Sequence, residues 1–227
     1  MCGRYTLTNP DPKRLKLRFG VDGSFEFDER PRFNIAPTDA VLAVRVDEQL
    51  GKRQFGYLRW GLMPGRWAER RGRPLINARA ETIATQPAFA ESFKHRRCLV
   101  AADGYYEWKR EPTGKQPVWI SRGDGELMAF AGIWASLAAE SGETVHSCSI
   151  ATCEPNESLR PIHDRMPVVL DRGDEAAWLD PAASPEDSLR LLRPPPEGEL
   201  TAREVGDAVN DVRNDGPHLL DPPSKLF

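Results

Sequence analysis

Apolar and polar positions alternate in short runs along most of this chain, and few stretches hold a helical period. Val41 to Val46 alternates as a strand and passes through a turn at Asp47 to Lys52 into Phe55 to Trp60, the pattern of a hairpin. Cys98 to Ala102, Tyr105 to Lys109, Val118 to Ser121, Leu127 to Trp134 and Val145 to Thr152 read as further short strands rich in β-branched and aromatic residues. Pro167 to Leu170 adds one more after a turn or helix near 155–160, and Cys2 to Leu7 is extended. A helix is predicted over 11–19, where Leu15 and Phe19 stand at i, i+4 spacing. Another is predicted over 87–97 with Pro87 in its first turn, and two short ones around 173–179 and 185–192. Glycine and proline break 61–75 into a loop. The last ten residues or so are expected to form a tail, because DPPSKLF can bury little. These elements predict an α+β fold: a single domain over 1–220 with a curved antiparallel β-sheet or open barrel-like core, peripheral short helices, and a tail at 221–227.

Composition narrows the class. At 227 residues, 40 % hydrophobic and 29 % charged, the chain has the balance of a soluble globular domain. Its start carries no apolar run, and no stretch approaches the roughly 18 apolar residues of a membrane span. A cytoplasmic location is the expectation. Cysteines at 2, 98, 148 and 153 form no CxxC pair, so free thiols are expected, with Cys98, Cys148 and Cys153 as small core residues. No metal-ligand spacing and no phosphate-cradling glycine motif is present, so neither a metal nor a nucleotide cofactor is expected.

The net charge of −3 conceals an acidic end: residues 171–227 carry −7 and residues 1–170 carry +4. Arg59, Arg66, Arg70, Arg71, Arg73 and Arg79 crowd into 59–79 against Glu69 alone. With Trp60 and Trp67 among them, that stretch suits phosphate contact and base stacking, or else is a solvated loop.

Cys2 stands at an informative address. Removal of Met1 would leave an α-amine and a thiol on one residue. An α-amine titrates near 7.7–8.0, so roughly a tenth of it is neutral and nucleophilic at pH 7. The amine can attack an aldehyde to give an imine, and the thiol can add to the imine carbon, closing a five-membered thiazolidine. The same position also suits an N-terminal-nucleophile hydrolase, with the amine as base for the thiol. GYYEWK (104–109) sets Glu107 among aromatics, where desolvation would raise its pKa toward a range useful in proton transfer. PIHDRMPVVL (161–170) sets His163 in a loop before a strand, with Arg165 two residues on. LINARAET (75–82, from Leu75 on) offers Asn77, Arg79 and Glu81 at alternate positions, which an extended chain points to one side.

Taken with RFNIAPT (32–38), RWGLMP (59–64) and RRCLVAADGYYEWK (96–109), the segments MCGRY (1–5), INARAET (76–82) and PIHDRMPVVL resemble, in the same order, the SOS-response-associated peptidase-like (SRAP) family of abasic site processing proteins. The resemblance spans roughly 1–215. It implies binding of single-stranded DNA and a thiazolidine cross-link between Cys2 and the ring-opened aldehyde of an abasic site, with lyase-like imine chemistry. A monomer in the cytoplasm, at the nucleoid when on DNA, is the accompanying expectation, although the sequence does not fix the oligomeric state. Carried over by motif, Cys2 is the covalent nucleophile, Asn77 positions the sugar, Glu107 is the acid/base, and His163 moves protons in ring opening and reversal. Arg4, Arg79 and Arg165 are expected on phosphates, Trp67 and Trp108 against bases, and Asn34 and Pro37 along the DNA groove. The alternatives are an autoproteolytic cysteine peptidase or amidohydrolase built on Cys2, Glu107 and His163, and a non-catalytic single-strand binder. Two departures stand out. Met1, where retained, blocks the amine, and the acidic, proline-rich segment 181–200 matches no segment of the family.

Overall fold

The computed structural model describes residues 2–47, 49–64, 74–112, 114–138 and 142–224. Arg66, Trp67, Arg70, Arg71 and Arg73 lie outside the described residues, and so does the base-stacking role expected of Trp67.

The hairpin read from the alternation of 41–60 is the first half of a barrel. β3 (Ala40–Val46) and β4 (Arg53–Trp60) pair in register from Ala40 opposite Arg59 to Val46 opposite Arg53. Asp47 holds the turn, its carboxylate accepting from the N–H groups of Gln49 and Leu50. β6 (Arg97–Ala102) pairs with β3 on one edge and with β9 (Met128–Ala138) on the other, and β9 pairs with β10 (Thr144–Cys153). β10 then runs parallel to β4 at Ser147 and Cys148, which closes five strands into a barrel. β6 is buried along its whole length, as a strand covered on both faces should be.

A second, five-stranded antiparallel sheet packs beside the barrel in the order β12 (Leu200–Glu204), β8 (Gly114–Arg122), β7 (Gly104–Glu111), β1 (Arg4–Leu7), β2 (Arg32–Ile35). Asp103, in the turn between β6 and β7, accepts from Thr6 Oγ1 at 2.6 Å, from Thr8 N at 2.5 Å and from Thr8 Oγ1 at 2.8 Å, so one carboxylate pins β1 against β7. Gly104 must be glycine, because a Cβ there would run into the Trp119 indole.

The helices are peripheral. α1 (Pro12–Phe19) starts on an Asp11 cap that accepts from Arg14 N, carries proline in its first turn, and ends at Gly20 in the left-handed region at φ 61°. Its Leu15 and Phe19 are both fully buried, the face that their spacing predicts. α3 (Glu175–Leu179) and α4 (Pro185–Arg190) confirm the two short helices, each shorter than predicted. No helix among the described residues is long and apolar enough to cross a membrane.

The α+β expectation holds, and several elements correct it. The helix expected over 87–97 is only α2 (Ala90–His95), because Phe89 offers no side-chain cap and Arg97 already belongs to β6. The strand expected over 167–170 shrinks to β11 (Met166–Pro167) and a single bridge from Val169 to Phe130. Trp60 is fully buried, with its indole N–H on the carbonyl of Ile76, so it is a core residue rather than a base-stacking one. β2 and β12 were not predicted; β12 buries only Leu200, too little for a period to register. The expected tail of about ten residues is shorter too: 217–220 form a 3-10 turn whose Leu219 is buried against Tyr106, Val205 and Val209.

Candidate functional site

The site forms where the barrel meets the five-stranded sheet. Cys2 precedes β1 and is completely buried. β5 (Asn77–Arg79), a three-residue strand parallel to β10, presents Asn77 from the barrel side. Asn77 Nδ2 donates to the Cys2 carbonyl at 2.8 Å. That bond fixes the amide's orientation and leaves Asn77 Oδ1 buried without a partner among the described residues, an acceptor that suits a ligand. Glu107 comes from β7, the neighbour of β1, and is 2 % exposed. His163 comes from the loop between β10 and β11, its Nε2 3.8 Å from Glu107 Oε2. That separation is too long for a hydrogen bond and admits a bridging water or ligand oxygen.

Burial sets the protonation states. It lifts Glu107 to about 7, with Asp164 adding to the rise, so at neutral pH this carboxyl both gives and takes a proton. Burial also pushes the Cys2 thiol well up, helped by the charge of Glu107, so the resting sulfur is protonated. His163 is pushed down, mainly by desolvation, and is neutral at pH 7. Its Nδ1 accepts from the backbone N–H of Arg165 at 3.0 Å, which places the proton on Nε2, facing Glu107. Asp164 Oδ1 lies 2.9 Å from the same Nδ1 and would demand a proton there; that carboxylate is 88 % exposed and can turn to water, so the backbone donor decides the tautomer.

The His163 loop is braced by the acidic segment whose role the sequence left open. Glu197 accepts from Glu157 N at 2.6 Å and from Ser158 N at 3.3 Å, and Asn156 donates to the Pro195 carbonyl. Residues 195–197 therefore hold the turn that delivers His163.

The expected DNA-contacting residues divide into two groups. Trp108, Arg110, Arg160 and His163 line one cavity, and Arg79, Arg160 and Arg165 line a second that shares Arg160 and Asp164 with the first. In the second cavity Arg165 is already held by Glu81, at 2.7 and 3.0 Å, and by the Thr152 carbonyl. Arg4 and Asn34 sit elsewhere. Arg4 Nη1 donates to Asn34 Oδ1 at 2.9 Å and to the Val209 carbonyl at 2.8 Å. Asn34 is 2 % exposed, and its Nδ2 faces the carbonyls of Val209, Asp211 and Asn214, so it braces the C-terminal segment. Trp108 joins the same clasp through Asn210 Oδ1 at 2.7 Å. Pro37 is half-buried beside Thr38, a non-glycine residue at φ 81°, where strain often marks a functional turn. Sequence reasoning missed Glu197, Arg110 and Arg160, none of which stands in a pattern that distinguishes it from a surface charge.

Comparisons with known proteins agree with this architecture. The family profile described as SOS response associated peptidase (SRAP) matches residues 1–212. The chain is 39 % identical to "Abasic site processing protein YoaM" of Bacillus subtilis (strain 168) over all of both chains. It is 33 % identical to "Abasic site processing protein YedK" of Escherichia coli (strain K12), covering 98 % of this chain and 100 % of that one. A solved structure of a Bacteroides thetaiotaomicron protein superposes with a TM-score of 0.84 at 24 % identity, over 98 % of this chain and all of that one, a likeness of fold. By profile and by full-length identity, the chain belongs to the SOS response associated peptidase family.

Proposed function

We propose that this protein, once Met1 is removed, captures abasic sites in single-stranded DNA by forming a thiazolidine between Cys2 and the ring-opened sugar aldehyde. The observation that carries the reading is the convergence on Cys2 of an orienting amide and a carboxyl near pKa 7, with a neutral imidazole across from that carboxyl. The relatives named for abasic site processing support it. The α-amine attacks the aldehyde carbon, and Glu107 or His163 returns the proton that lets water leave as the imine forms. The sulfur then adds to the carbon of the protonated imine, its own proton passes to the Glu107 carboxylate, and the C=N electron pair goes to nitrogen, which keeps its proton as the ring N–H. Asn77 Oδ1 accepts a hydrogen bond from a sugar hydroxyl. The guanidinium groups of Arg79, Arg110, Arg160 and Arg165 suit the phosphates on either side, and the Trp108 face suits a neighbouring base.

Incubating the mature protein with a single-stranded oligonucleotide that holds one abasic site tests the reading by intact mass. A denaturation-resistant adduct is expected, with the mass of protein plus DNA less one water. Cys2→Ala should give no such adduct, although a reducible imine can still form through its α-amine. An equally stable adduct from Cys2→Ala, or none from the wild type, overturns the reading.

The family description favours a second use of the same residue, attack of Cys2 on the peptide bond that follows Met1. Release of Met1 from unprocessed protein in the absence of any aminopeptidase would support it.

A further inference from the structure

Glu81 shares a segment with Asn77 and Arg79, yet the aldehyde chemistry above gives it no part. It lies in the turn after β5 and takes the guanidinium of Arg165 end on: Arg165 Nη1 donates to Glu81 Oε1 at 2.7 Å and Nη2 to Oε2 at 3.0 Å. Nη2 also donates to the Thr152 carbonyl on β10, which accepts the backbone N–H of Ala80 at 2.8 Å as well. The Arg165 side chain is 11 % exposed, and the bidentate pair holds Glu81 below the usual carboxylate range. One guanidinium thus ties together the turn after β5, the strand β10 and the residue that enters β11. A cation already paired with a carboxylate has less charge to offer a phosphate, and what its side chain fixes is its own peptide.

That peptide touches the site. The Arg165 backbone N–H donates to His163 Nδ1 at 3.0 Å, and Asp164 Oδ1 lies 2.9 Å from the same nitrogen. The two neighbours ask for opposite tautomers. The peptide N–H needs Nδ1 bare and puts the proton on Nε2, whereas the carboxylate needs a proton on Nδ1 and would leave Nε2 without one. Nε2 is the nitrogen that faces Glu107, 3.8 Å from Oε2, across a gap that fits a ligand oxygen. Whichever neighbour prevails decides whether the imidazole offers that oxygen a hydrogen or a lone pair.

We propose that Glu81 and Arg165 are positioning residues for His163: by fixing the Arg165 peptide they keep the imidazole as the Nε2–H tautomer, a standing hydrogen-bond donor to the hydroxyl that leaves as the imine forms. The proton that turns this hydroxyl into water comes from the Glu107 carboxyl. The C–O bond breaks with its electrons going to oxygen, the nitrogen lone pair makes the C=N bond, and Nε2 keeps its hydrogen throughout. A donor already aimed where charge appears needs no reorganisation at the moment of reaction. With Asp164 in control, the Nε2 lone pair would face an oxygen gathering negative charge and oppose its departure. The inference rests on the cross-linking reading above and gives Glu81 a task in its first step.

Mature wild type, Glu81→Gln and the double variant Glu81→Gln/Asp164→Asn test it. Nitrogen-15 NMR of histidine-labelled protein at pH 8, with His163 identified by the signals lost in His163→Ala, reads the tautomer. Borohydride trapping at saturating abasic single-stranded DNA reads imine formation. In Glu81→Gln the amide nitrogen cannot accept from the guanidinium, so His163 should shift toward the Nδ1–H form. Trapping should slow about tenfold, the scale of one hydrogen bond to a charged group. Non-covalent affinity for single-stranded DNA should be equal or tighter, since the substitution removes a negative charge beside Arg165. Asp164→Asn in the same chain removes the competing carboxylate, and its amide can itself donate to Nδ1. The double variant should regain the Nε2–H form and trap within about threefold of wild type. A Glu81→Gln protein with the wild-type tautomer overturns the proposal, as does a double variant as slow as the single one. Slow trapping accompanied by weaker DNA binding also overturns it, because the pair would then serve the DNA backbone. Absence of any adduct from the wild type is the failure of the cross-linking reading, and the tautomer shift in Glu81→Gln then decides this inference by itself.

Discussion

Asn77 and Cys2 are joined across the junction of barrel and sheet by one hydrogen bond, Asn77 Nδ2 to the Cys2 carbonyl at 2.8 Å. The two residues are 75 apart in sequence, and the bond fixes the backbone of the reactive residue from the opposite side of the site. An N-terminal residue ordinarily frays. Here an amide on a strand of the barrel holds Cys2 in place, so that in the proposed mature form the amine, and not the whole residue, is the moving part.

Replacing Asn77 with Ala should therefore slow adduct formation far more than it weakens the fold. Loss of position at a reacting atom costs on the order of a hundredfold in rate, while a single missing hydrogen bond costs about 1 kcal/mol of stability. Quench-flow or gel time courses alongside urea denaturation read both. A rate within about twofold of wild type would show that Cys2 is held by something else.

Glu107 makes a stability prediction with a definite sign. Its carboxyl titrates at about 7 in the fold against an ordinary value of 4.5, so between those pH values the folded state binds more protons than the unfolded one. Stability should fall as pH rises through that window, by on the order of 3 kcal/mol, and stay lowered above it. Glu107→Gln removes the effect: the variant should be the more stable at pH 8 and close to wild type at pH 4. The pH dependence of imine formation should lose its inflection near 7 in the same variant. Chemical denaturation across the pH range checks the first claim, and a variant less stable than wild type at pH 8 refutes it.

Arg110 and Arg160 flank His163 in the cavity that suits the DNA backbone. Exchanging both for Gln should flatten the salt dependence of non-covalent single-strand binding by about 0.7 for each phosphate no longer neutralised, roughly 1.4 in the log–log slope. At saturating DNA the cross-linking rate should change little, because neither guanidinium touches the reacting carbon. An unchanged slope would place the DNA backbone elsewhere.

Asn34 is placed to carry stability rather than affinity. Its amide reaches three carbonyls of 209–214 and its oxygen takes Arg4, so Asn34→Ala should cost about 2–3 kcal/mol and expose 207–215 to proteolysis. Urea midpoints and limited digestion report the two effects. A shift below about 0.5 kcal/mol with the segment still protected would contradict the clasp.

Much of the candidate site is legible in the sequence because its chemistry depends on address and residue type. Cys2 is informative by standing second, Glu107 by sitting among aromatics, His163 by preceding a strand, and Asn77 by its place in INARAET; the fold brings all four to one junction. Less legible were the residues whose meaning comes from a distant partner. Asn34 sits in a recognisable segment, yet what fixes its role is bonding to residues 175 to 180 positions away. Glu197 lies in an acidic stretch without periodicity, and only the turn at 156–159 gives it a task.

The sequence by itself determined the run of short strands, the helix at 12–19, the family, and the residue types that can do aldehyde chemistry, because period and capping are local and a nucleophile's identity is intrinsic. Only the tertiary structure decided how those groups are tuned. Closure of the barrel through the parallel β4–β10 pairing sets the site against the second sheet. That arrangement buries Glu107 and Cys2 in a medium where charge is costly, which raises one carboxyl to about 7 and keeps one thiol protonated.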